Sequence, residues 1–320
     1  MPKMLINGIL REKPTDPNGA FARLPSQFRG WIESHDAAEF PAERDRYHLY
    51  LSKACPWCHG VELVVSLKGL RGAVGITWMD PIMSENGWVI DQAQIVPKDG
   101  VPRDRYLFEV YQRAAPDYTG AISAPVLLDR KSGKIVSTDS ADIMRMLGSA
   151  FVPEAGPDLY PAHLRSEIDR IADFIQEPVR NGVYRAGFAT TQTAYCEAVL
   201  GLFEALESLE ALLTEREFLA GKQLTEVDLK LFPTLLRFDP VYFTHFKTDR
   251  ARIADYPALS RYLSQIAQIP EIAATIDMPH IREHYFRSHR HINPTGIISI
   301  GPKPISDLQT IMTEHAQCPA

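Results

Sequence analysis

The chain has 320 residues, of which 45% are hydrophobic and 23% are charged, and its formal net charge is −6 at pH 7. This composition predicts a folded protein of one large or two ordinary domains, and the acidic balance disfavours a nucleic-acid partner, which would need an excess of Lys and Arg. No run reaches the roughly 18 apolar residues of a membrane span, and charges and prolines interrupt the N-terminus before a secretory signal forms, so we expect a cytoplasmic protein with no membrane partner.

The first segment, residues 1–45, combines Pro, Gly, Arg and Phe without a sustained period. Such composition is typical of irregular chain. We predict that it forms an extended N-terminal arm lying over the body of the protein.

Residues 46–150 alternate between strand and helix patterns. YHLYLS (47–52) alternates like a strand, the segment after Cys-Pro-Trp-Cys has the apolar spacing of a buried helix, and GITWMD (75–80) is a second strand candidate. A polar stretch at 81–120, with one short helix, interrupts this pattern. Two more strands joined by a turn, and a helix that opens at Asp139, complete the order. The order β, α, β, insertion, β, β, α predicts an α/β domain.

From about residue 160 the pattern becomes helical, and 160–290 is predicted as an all-α domain. Apolar residues recur at the spacing of a helix face in a stripe that begins at Ile168. Thr225 and Asp228 stand in the relation of a capping box before an apolar run, which predicts a helix start. Residues 291–320 are punctuated by Pro and Gly, and we predict a loose C-terminal tail.

Two of the four cysteines lie three positions apart in KACPWCHG (53–60). Only a thiolate attacks, and an unperturbed cysteine with a pKa of about 8.5 is roughly 3% ionised at pH 7. Cys55 lies at the predicted strand-to-helix turn, where unpaired N–H groups and the helix dipole favour the anion, and Pro56 suits the first helical position. Cys55 is therefore the predicted reactive thiol, and Cys58 lies about one turn inside the helix.

The remaining cysteines and the histidines do not predict a metal. A zinc site needs about four ligands, and neither Cys196 nor Cys318 has a second cysteine nearby. We interpret both as small packing residues. No carboxylate or cysteine motif adds to the C-terminal histidines to complete a set of metal ligands. We interpret these histidines as polar surface or hydrogen-bonding groups: His280, His284, His289 and His291.

Ala124-Pro125 precedes a strand about seventy residues after the cysteine pair. X-Pro is the bond type for which cis geometry costs little. In a thioredoxin-like fold such a proline is commonly cis and faces the active thiol, although an edge-strand proline is the alternative. Asp139 and Ser140 can cap their helix, and the same N–H groups can bind a carboxylate.

These features together resemble the glutathione transferases, in which a thioredoxin-like half precedes an all-helical half. More closely, the chain resembles the Xi class, the glutathionyl-hydroquinone reductases, over most of residues 20–300. The resemblance rests on six separated blocks. One is the Gly-Trp pair at 87–88, and the other five are FPAERDRYHLYLSKACPWCH, PDYTGAISAPVLLD, VYRAGFATTQTAY, TLLRFDPVYFTHFK and HIREHYFRSHRHINP. It implies a glutathione transferase fold, with a thioredoxin-like α/β domain at 46–150 and an all-α domain at 160–290, and a homodimer.

The resemblance also implies a two-step thiol exchange with glutathione as co-substrate and no metal. Cys55 matches the family's nucleophile, which attacks the glutathione sulfur of a glutathionyl-hydroquinone and releases the free hydroquinone. A second glutathione then removes the first as oxidised glutathione. The residues implied to bind glutathione are Trp88, Val126, Asp139 and Ser140, and the tyrosines implied to surround the aromatic substrate are Tyr184, Tyr242 and Tyr285.

The sequence departs from the family pattern at several positions. Cys58-His59-Gly60 stands where Ala and then His-Arg are usual, Asp139 stands where Glu is usual, and Ala121 stands where Arg is common. The second thiol leaves open a glutaredoxin-like deglutathionylase or dithiol reductase, in which Cys58 resolves the disulfide. A third interpretation is a non-enzymatic ligand-carrying protein, for which Cys55 would be dispensable.

Overall fold

The computed structural model describes residues 3–12, 18–20, 24–90, 104–151, 156–303 and 308. The chain divides into two units. Unit 1 comprises Met1–Pro14 and Leu24–Asp158, and unit 2 comprises Thr15–Arg23 and Leu159–Ala320. The predicted boundaries at 46, 150, 160 and 291 remain predictions.

Unit 1 contains strands and helices in mixed order, as the sequence predicts. Its described strands are β1 (Lys3–Ile6), β2 (Ile9–Glu12), β3 (Ile32–Glu33), β4 (Phe40–Pro41), β5 (Tyr47–Leu51), β6 (Gly75–Trp78), β7 (Gly120–Ala121), β8 (Val126–Asp129) and β9 (Ile135–Ser137). Its described helices are α1 (Pro56–Leu67), α2 (Leu107–Ala114) and α3 (Ser140–Ser149).

A four-stranded sheet with the order β6-β5-β8-β9 forms the centre of unit 1. β5 runs parallel to β6 and antiparallel to β8, and β8 runs antiparallel to β9. All residues of β5, β8 and β9 are buried, as expected for strands whose two faces are both covered. α1 and α3 pack against each other beside this sheet. The predicted α/β organisation is confirmed.

The N-terminal segment contains a hairpin that the sequence pattern did not indicate. Asn7 and Gly8 both have positive φ values, 48° and 71°, as a two-residue hairpin turn requires. A Cβ at Gly8 would lie only 1.8 Å from the Pro116 carbonyl oxygen, so the turn admits only glycine there. β1 also pairs with β7. The segment predicted as an arm therefore carries strand pairing of its own.

Unit 2 is helical throughout its regular structure in the described residues. Its α-helices are α4 (Arg165–Ile175), α5 (Gly182–Gly187), α6 (Gln192–Glu215), α7 (Glu226–Arg237), α8 (Phe243–His245), α9 (Pro257–Ala267), α10 (Pro270–Ala273) and α11 (Met278–Ser288). Wider π-helical turns, Gln176–Asn181 and Phe238–Tyr242, precede α5 and α8. The predicted stripes on α4 and α6 face the core, with every predicted stripe residue buried except Ala172, which is half-buried.

The predicted start of α7 is confirmed, and its capping carboxylate has further partners. Asp228 is fully buried and accepts hydrogen bonds from the backbone N–H and hydroxyl of Thr225, at 2.8 and 3.0 Å. The N–H of Leu219 and the hydroxyl of Tyr262 also donate to it, each at 2.9 Å. Burial raises the pKa of Asp228 above its ordinary value, and the four donors oppose that shift. One carboxylate thus ties α7 to α9 and to the turn before α7.

Candidate active site

Cys55 caps the N-terminus of α1. The backbone N–H of Cys58 donates to Cys55 Sγ at 3.4 Å, and Pro56 occupies the first helical position. The Cys55 thiol can donate in turn to the Ala124 carbonyl oxygen, 3.7 Å away. Ala124-Pro125 is a cis peptide bond, as the sequence predicted. The sulfur therefore has a donor that favours its anion on one side and the cis-proline segment on the other.

The other residues expected to bind glutathione in unit 1 follow the same edge of the sheet as Cys55. Cys55 comes after the C-terminal end of β5. Tyr50 pairs with Val126 in the antiparallel β5–β8 ladder, so β8 begins at that edge. β9 runs antiparallel to β8 and also ends there, and Asp139 and Ser140 follow it after Thr138. Residues far apart in sequence thus converge at one sheet edge.

Trp88 belongs to the loop that extends this edge beyond β6. Met79 donates its N–H to the Leu51 carbonyl at 2.8 Å and forms a β-bridge with Ile90, so the chain returns to the edge after a turn. Gly87, with a φ of 89°, closes that turn. Trp88 follows it and is half-buried.

Asp139 and Ser140 form the start of α3. Asp139 Oδ1 accepts hydrogen bonds from the N–H groups of Ala141 and Asp142, at 2.9 and 3.1 Å. Ser140 is the first helical residue and is 6% exposed. Arg29 lies against the same turn, with Nη1 at 3.6 Å from Asp139 Oδ2. No local sequence pattern indicated Arg29, because its partners lie more than a hundred residues away in the chain.

A buried ion pair supports the turn that carries the cysteine. Lys53 Nζ lies 2.5 Å from Oε1 of Glu62, whose side chain is 1% exposed, and Arg71 Nη2 lies 3.4 Å from the same oxygen. Lys53 also lies 4.2 Å from the ring centroid of Trp78. No local sequence pattern indicated this group either. It links the residues just before Cys55 to the second turn of α1.

The three predicted tyrosines come together within unit 2. Tyr184 lies on α5, Tyr242 ends the π-helical turn before α8, and Tyr285 lies on α11. Their hydroxyl groups form a chain, with 2.5 Å between Tyr184 and Tyr285 and 3.1 Å between Tyr242 and Tyr285. Phe246 packs against all three rings. Tyr184 is 8% exposed, whereas the other two are almost completely buried.

The surroundings of the three tyrosine hydroxyls keep the hydroxyl of Tyr285 neutral and the imidazole of the nearby His245 uncharged. Burial, reinforced by Tyr242, raises the pKa of Tyr285 well above its ordinary value. Burial also lowers the pKa of His245 to about 4. His245 Nε2 lies 3.1 Å from His289 Nδ1. Tyr285 thus keeps its hydroxyl proton at neutral pH.

The prediction for Cys196 was wrong, whereas that for His284 is confirmed. Cys196 is exposed rather than buried, because α6 buries the face of Val199 and Leu202, and Cys196 shares the opposite face with the exposed Leu200. His284 is buried against the Tyr285 ring, and its Nδ1 lies 3.5 Å from Ser288 Oγ, as expected for a hydrogen-bonding histidine. Cys318 lies outside the described residues.

Among the described residues, no group of three or more His, Cys, Asp or Glu side chains is arranged to hold a metal ion. In the same part of the chain, every helix is too short or too polar to cross a membrane.

The fold and the cysteine-capped helix define a glutathione transferase, and comparisons with known proteins agree. Residues 54–150 match the family profile of the glutathione S-transferase N-terminal domain, and residues 186–264 match that of the C-terminal domain. The predicted fold class is confirmed.

Individual relatives identify the class of glutathione transferases to which the chain belongs. The chain is 46% identical to glutathionyl-hydroquinone reductase YqjG of Escherichia coli, over 93% of this chain and 94% of that protein. It is 45% identical to glutathionyl-hydroquinone reductase PcpF of Sphingobium chlorophenolicum, over 93% and 96%. A solved Xi-class transferase from Natrialba magadii superimposes with a TM-score of 0.88 at 39% identity, over 98% of this chain and 96% of that one. The protein belongs to the Xi-class glutathione transferases, the family of the glutathionyl-hydroquinone reductases.

Proposed function

We propose that this protein is an enzyme that reduces glutathionyl-hydroquinones to free hydroquinones with glutathione. The observation that carries the proposal is the position of Cys55 Sγ, which accepts the Cys58 N–H at the start of α1 beside the cis Ala124-Pro125 bond. The names of the two curated reductases support the choice of substrate.

In the first step the Cys55 thiolate attacks the sulfur of the glutathionyl group. The sulfur–sulfur bond forms as the bond between sulfur and the aromatic carbon breaks. The electron pair of the broken bond stays on that carbon, which takes up a proton to give the free hydroquinone. The two sulfur atoms are thereby oxidised to a mixed disulfide, and the aromatic carbon is reduced.

In the second step the thiolate of a second glutathione attacks the glutathione sulfur of the mixed disulfide. Oxidised glutathione leaves, and Cys55 returns as thiolate. The net reaction consumes one conjugate and one glutathione, and yields one hydroquinone and one oxidised glutathione.

The remaining residues bind and orient the substrate in this proposal. Glutathione lies along the sheet edge, with its γ-glutamyl end at Asp139 and Ser140, its backbone at Val126, and Trp88 against it. The tyrosine hydroxyl chain binds the hydroquinone oxygens. Tyr285, kept protonated by burial, donates to an oxygen that gains negative charge as the carbon–sulfur bond breaks. The aromatic packing of this cluster suits a planar apolar ring.

The decisive test mixes the purified protein with glutathione and the glutathionyl conjugate of menadiol. Free menadiol and oxidised glutathione are then quantified by chromatography. We expect equal molar amounts of the two products from the wild type, and loss of both with Cys55→Ala. Cys196→Ala, which changes an exposed thiol, is the matched control and should keep wild-type rates. Menadiol release by Cys55→Ala at the wild-type rate would refute the proposal.

A homodimer and a cytoplasmic location follow from the family resemblance and remain part of this proposal. Sedimentation equilibrium of the purified chain measures its oligomeric state directly. A monomer at micromolar concentration would contradict it.

A further inference from the structure

The backbone of Arg29 is fixed beside the residues that lead into α3. Gly30 donates its N–H to the Val136 carbonyl at 2.8 Å, and Thr138 donates its N–H to the Phe28 carbonyl at 3.2 Å. A segment from the N-terminal region therefore lies along the end of β9. Arg29 is brought in this way to the turn that contains Asp139.

The guanidinium group of Arg29 is paired with a carboxylate along one edge, which Nε and Nη2 form. Its third nitrogen, Nη1, is only partly engaged. Nε lies 2.5 Å from Asp142 Oδ2 and Nη2 lies 2.9 Å from Asp142 Oδ1, which is a bidentate pair. This pair fixes the plane of the group. Nη1 lies 3.6 Å from Asp139 Oδ2, which is longer than a hydrogen bond. The Arg29 side chain is 56% exposed, so it is accessible to solutes.

Asp139 shows the complementary arrangement. Its Oδ1 is occupied by two N–H groups of α3, whereas its Oδ2 faces Arg29. The Asp139 side chain is 29% exposed. A fixed cation and a fixed anion thus stand side by side at the start of a helix.

The α-carbon of a γ-glutamyl group carries one ammonium and one carboxylate. We infer that Arg29 binds this carboxylate through Nη1 while Asp139 Oδ2 accepts from the ammonium. The inference rests on the proposed function, which places the γ-glutamyl end of glutathione at Asp139 and Ser140. Arg29 thereby selects thiols that carry a free γ-glutamyl carboxylate, and Asp142 is the residue that positions it.

A purely structural role for Arg29 leads to a different expectation. If Arg29 served only to hold the N-terminal segment against α3, its loss would weaken the binding of every ligand of the site to the same degree. If Arg29 binds the carboxylate, its loss weakens the binding only of ligands that carry this carboxylate.

The experiment measures dissociation constants by titration calorimetry with two unreactive thioethers. One is S-methylglutathione. The other is its analogue with 4-aminobutanoyl in place of γ-glutamyl, which keeps the ammonium and lacks only the carboxylate. The proteins are the wild type, Arg29→Gln, Arg29→Lys and the control Arg170→Gln. Arg170 forms a similar bidentate pair with Glu167, and its side chain is 61% exposed.

We expect Arg29→Gln to weaken the binding of S-methylglutathione about tenfold, which corresponds to one partly screened charge-assisted hydrogen bond. The dissociation constant of the analogue should stay within about twofold of the wild-type value. Arg29→Lys should recover part of the loss, and Arg170→Gln should bind both ligands like the wild type. Equal weakening of both ligands by Arg29→Gln, or no weakening of S-methylglutathione, would overturn the inference. Because neither ligand reacts, this result is independent of whether Cys55 performs the proposed chemistry.

Discussion

The backbone N–H of Cys58 points at the sulfur of Cys55, 3.4 Å away, where α1 begins. This donor and the helix N-terminus stabilise the thiolate relative to the thiol. We therefore expect iodoacetamide to alkylate Cys55 at pH 7 faster than Cys196, although Cys196 is exposed and Cys55 is 7% exposed. Peptide mass spectrometry of timed samples measures both rates in one protein. Faster labelling of Cys196 would contradict the expectation.

Cys58 is expected to be dispensable for turnover. In the proposed reaction a second glutathione resolves the mixed disulfide, so Cys58→Ala should keep hydroquinone release within about threefold of wild type, with a small loss of stability from the lost sulfur. Steady-state release of menadiol from its glutathionyl conjugate measures this. Loss of activity in Cys58→Ala, with a native melting curve, would instead favour the dithiol mechanism in which Cys58 closes a disulfide with Cys55.

Removal of one hydroxyl from the tyrosine chain should slow the chemical step. Tyr285→Phe deletes the central hydroxyl, and we expect kcat to fall about 10- to 100-fold with a smaller change in KM. Tyr195→Phe is the matched control, because Tyr195 donates to the Lys247 carbonyl outside the chain of three tyrosines. An unchanged kcat in Tyr285→Phe would remove the proposed role of this hydroxyl.

Asp228 should be a major determinant of the stability of unit 2. Asp228→Asn places an amide N–H against hydrogen-bond donors in a fully buried position, so we expect a loss of about 3 kcal/mol in the free energy of unfolding. Urea denaturation measures it. Asp255→Asn, at a carboxylate whose side chain is 43% exposed, should cost less than about 1 kcal/mol. Similar losses for the two variants would contradict the assigned importance of the buried carboxylate.

His48 should make stability fall on acidification. Burial lowers the pKa of His48 to about 4, below the value of about 6.5 expected in the unfolded chain. Between these values the folded state binds fewer protons, so the free energy of unfolding rises with pH through this window and falls as the pH drops, by up to about 3 kcal/mol. We expect His48→Gln to show a shallower dependence between pH 4 and 6.5, measured by urea denaturation. The exposed His163→Gln is the control, and an unchanged slope in His48→Gln would refute the assignment.

The fold was largely predictable because its elements are encoded locally. The alternation of YHLYLS, the spacing of the apolar stripes and the Cys-Pro step each reflect contacts within a few residues, and each element formed as expected. The hairpin of β1 and β2 was missed, since Asn7-Gly8 was read as part of an irregular arm. Its strands are stabilised in part by pairing with β7, more than a hundred residues away.

The groups proposed to carry the chemistry could be named from the sequence: a cysteine at a helix start, an acidic-Ser helix start and three tyrosines. Their surroundings depend on the tertiary structure. It buried Glu62 beside Lys53, brought Arg29 to Asp139 and turned Cys196 outward. The physical reason is that periodicity specifies which residues share a face of a helix or strand. Which face is covered, and which charges meet across it, depends on packing between segments that are distant in the chain.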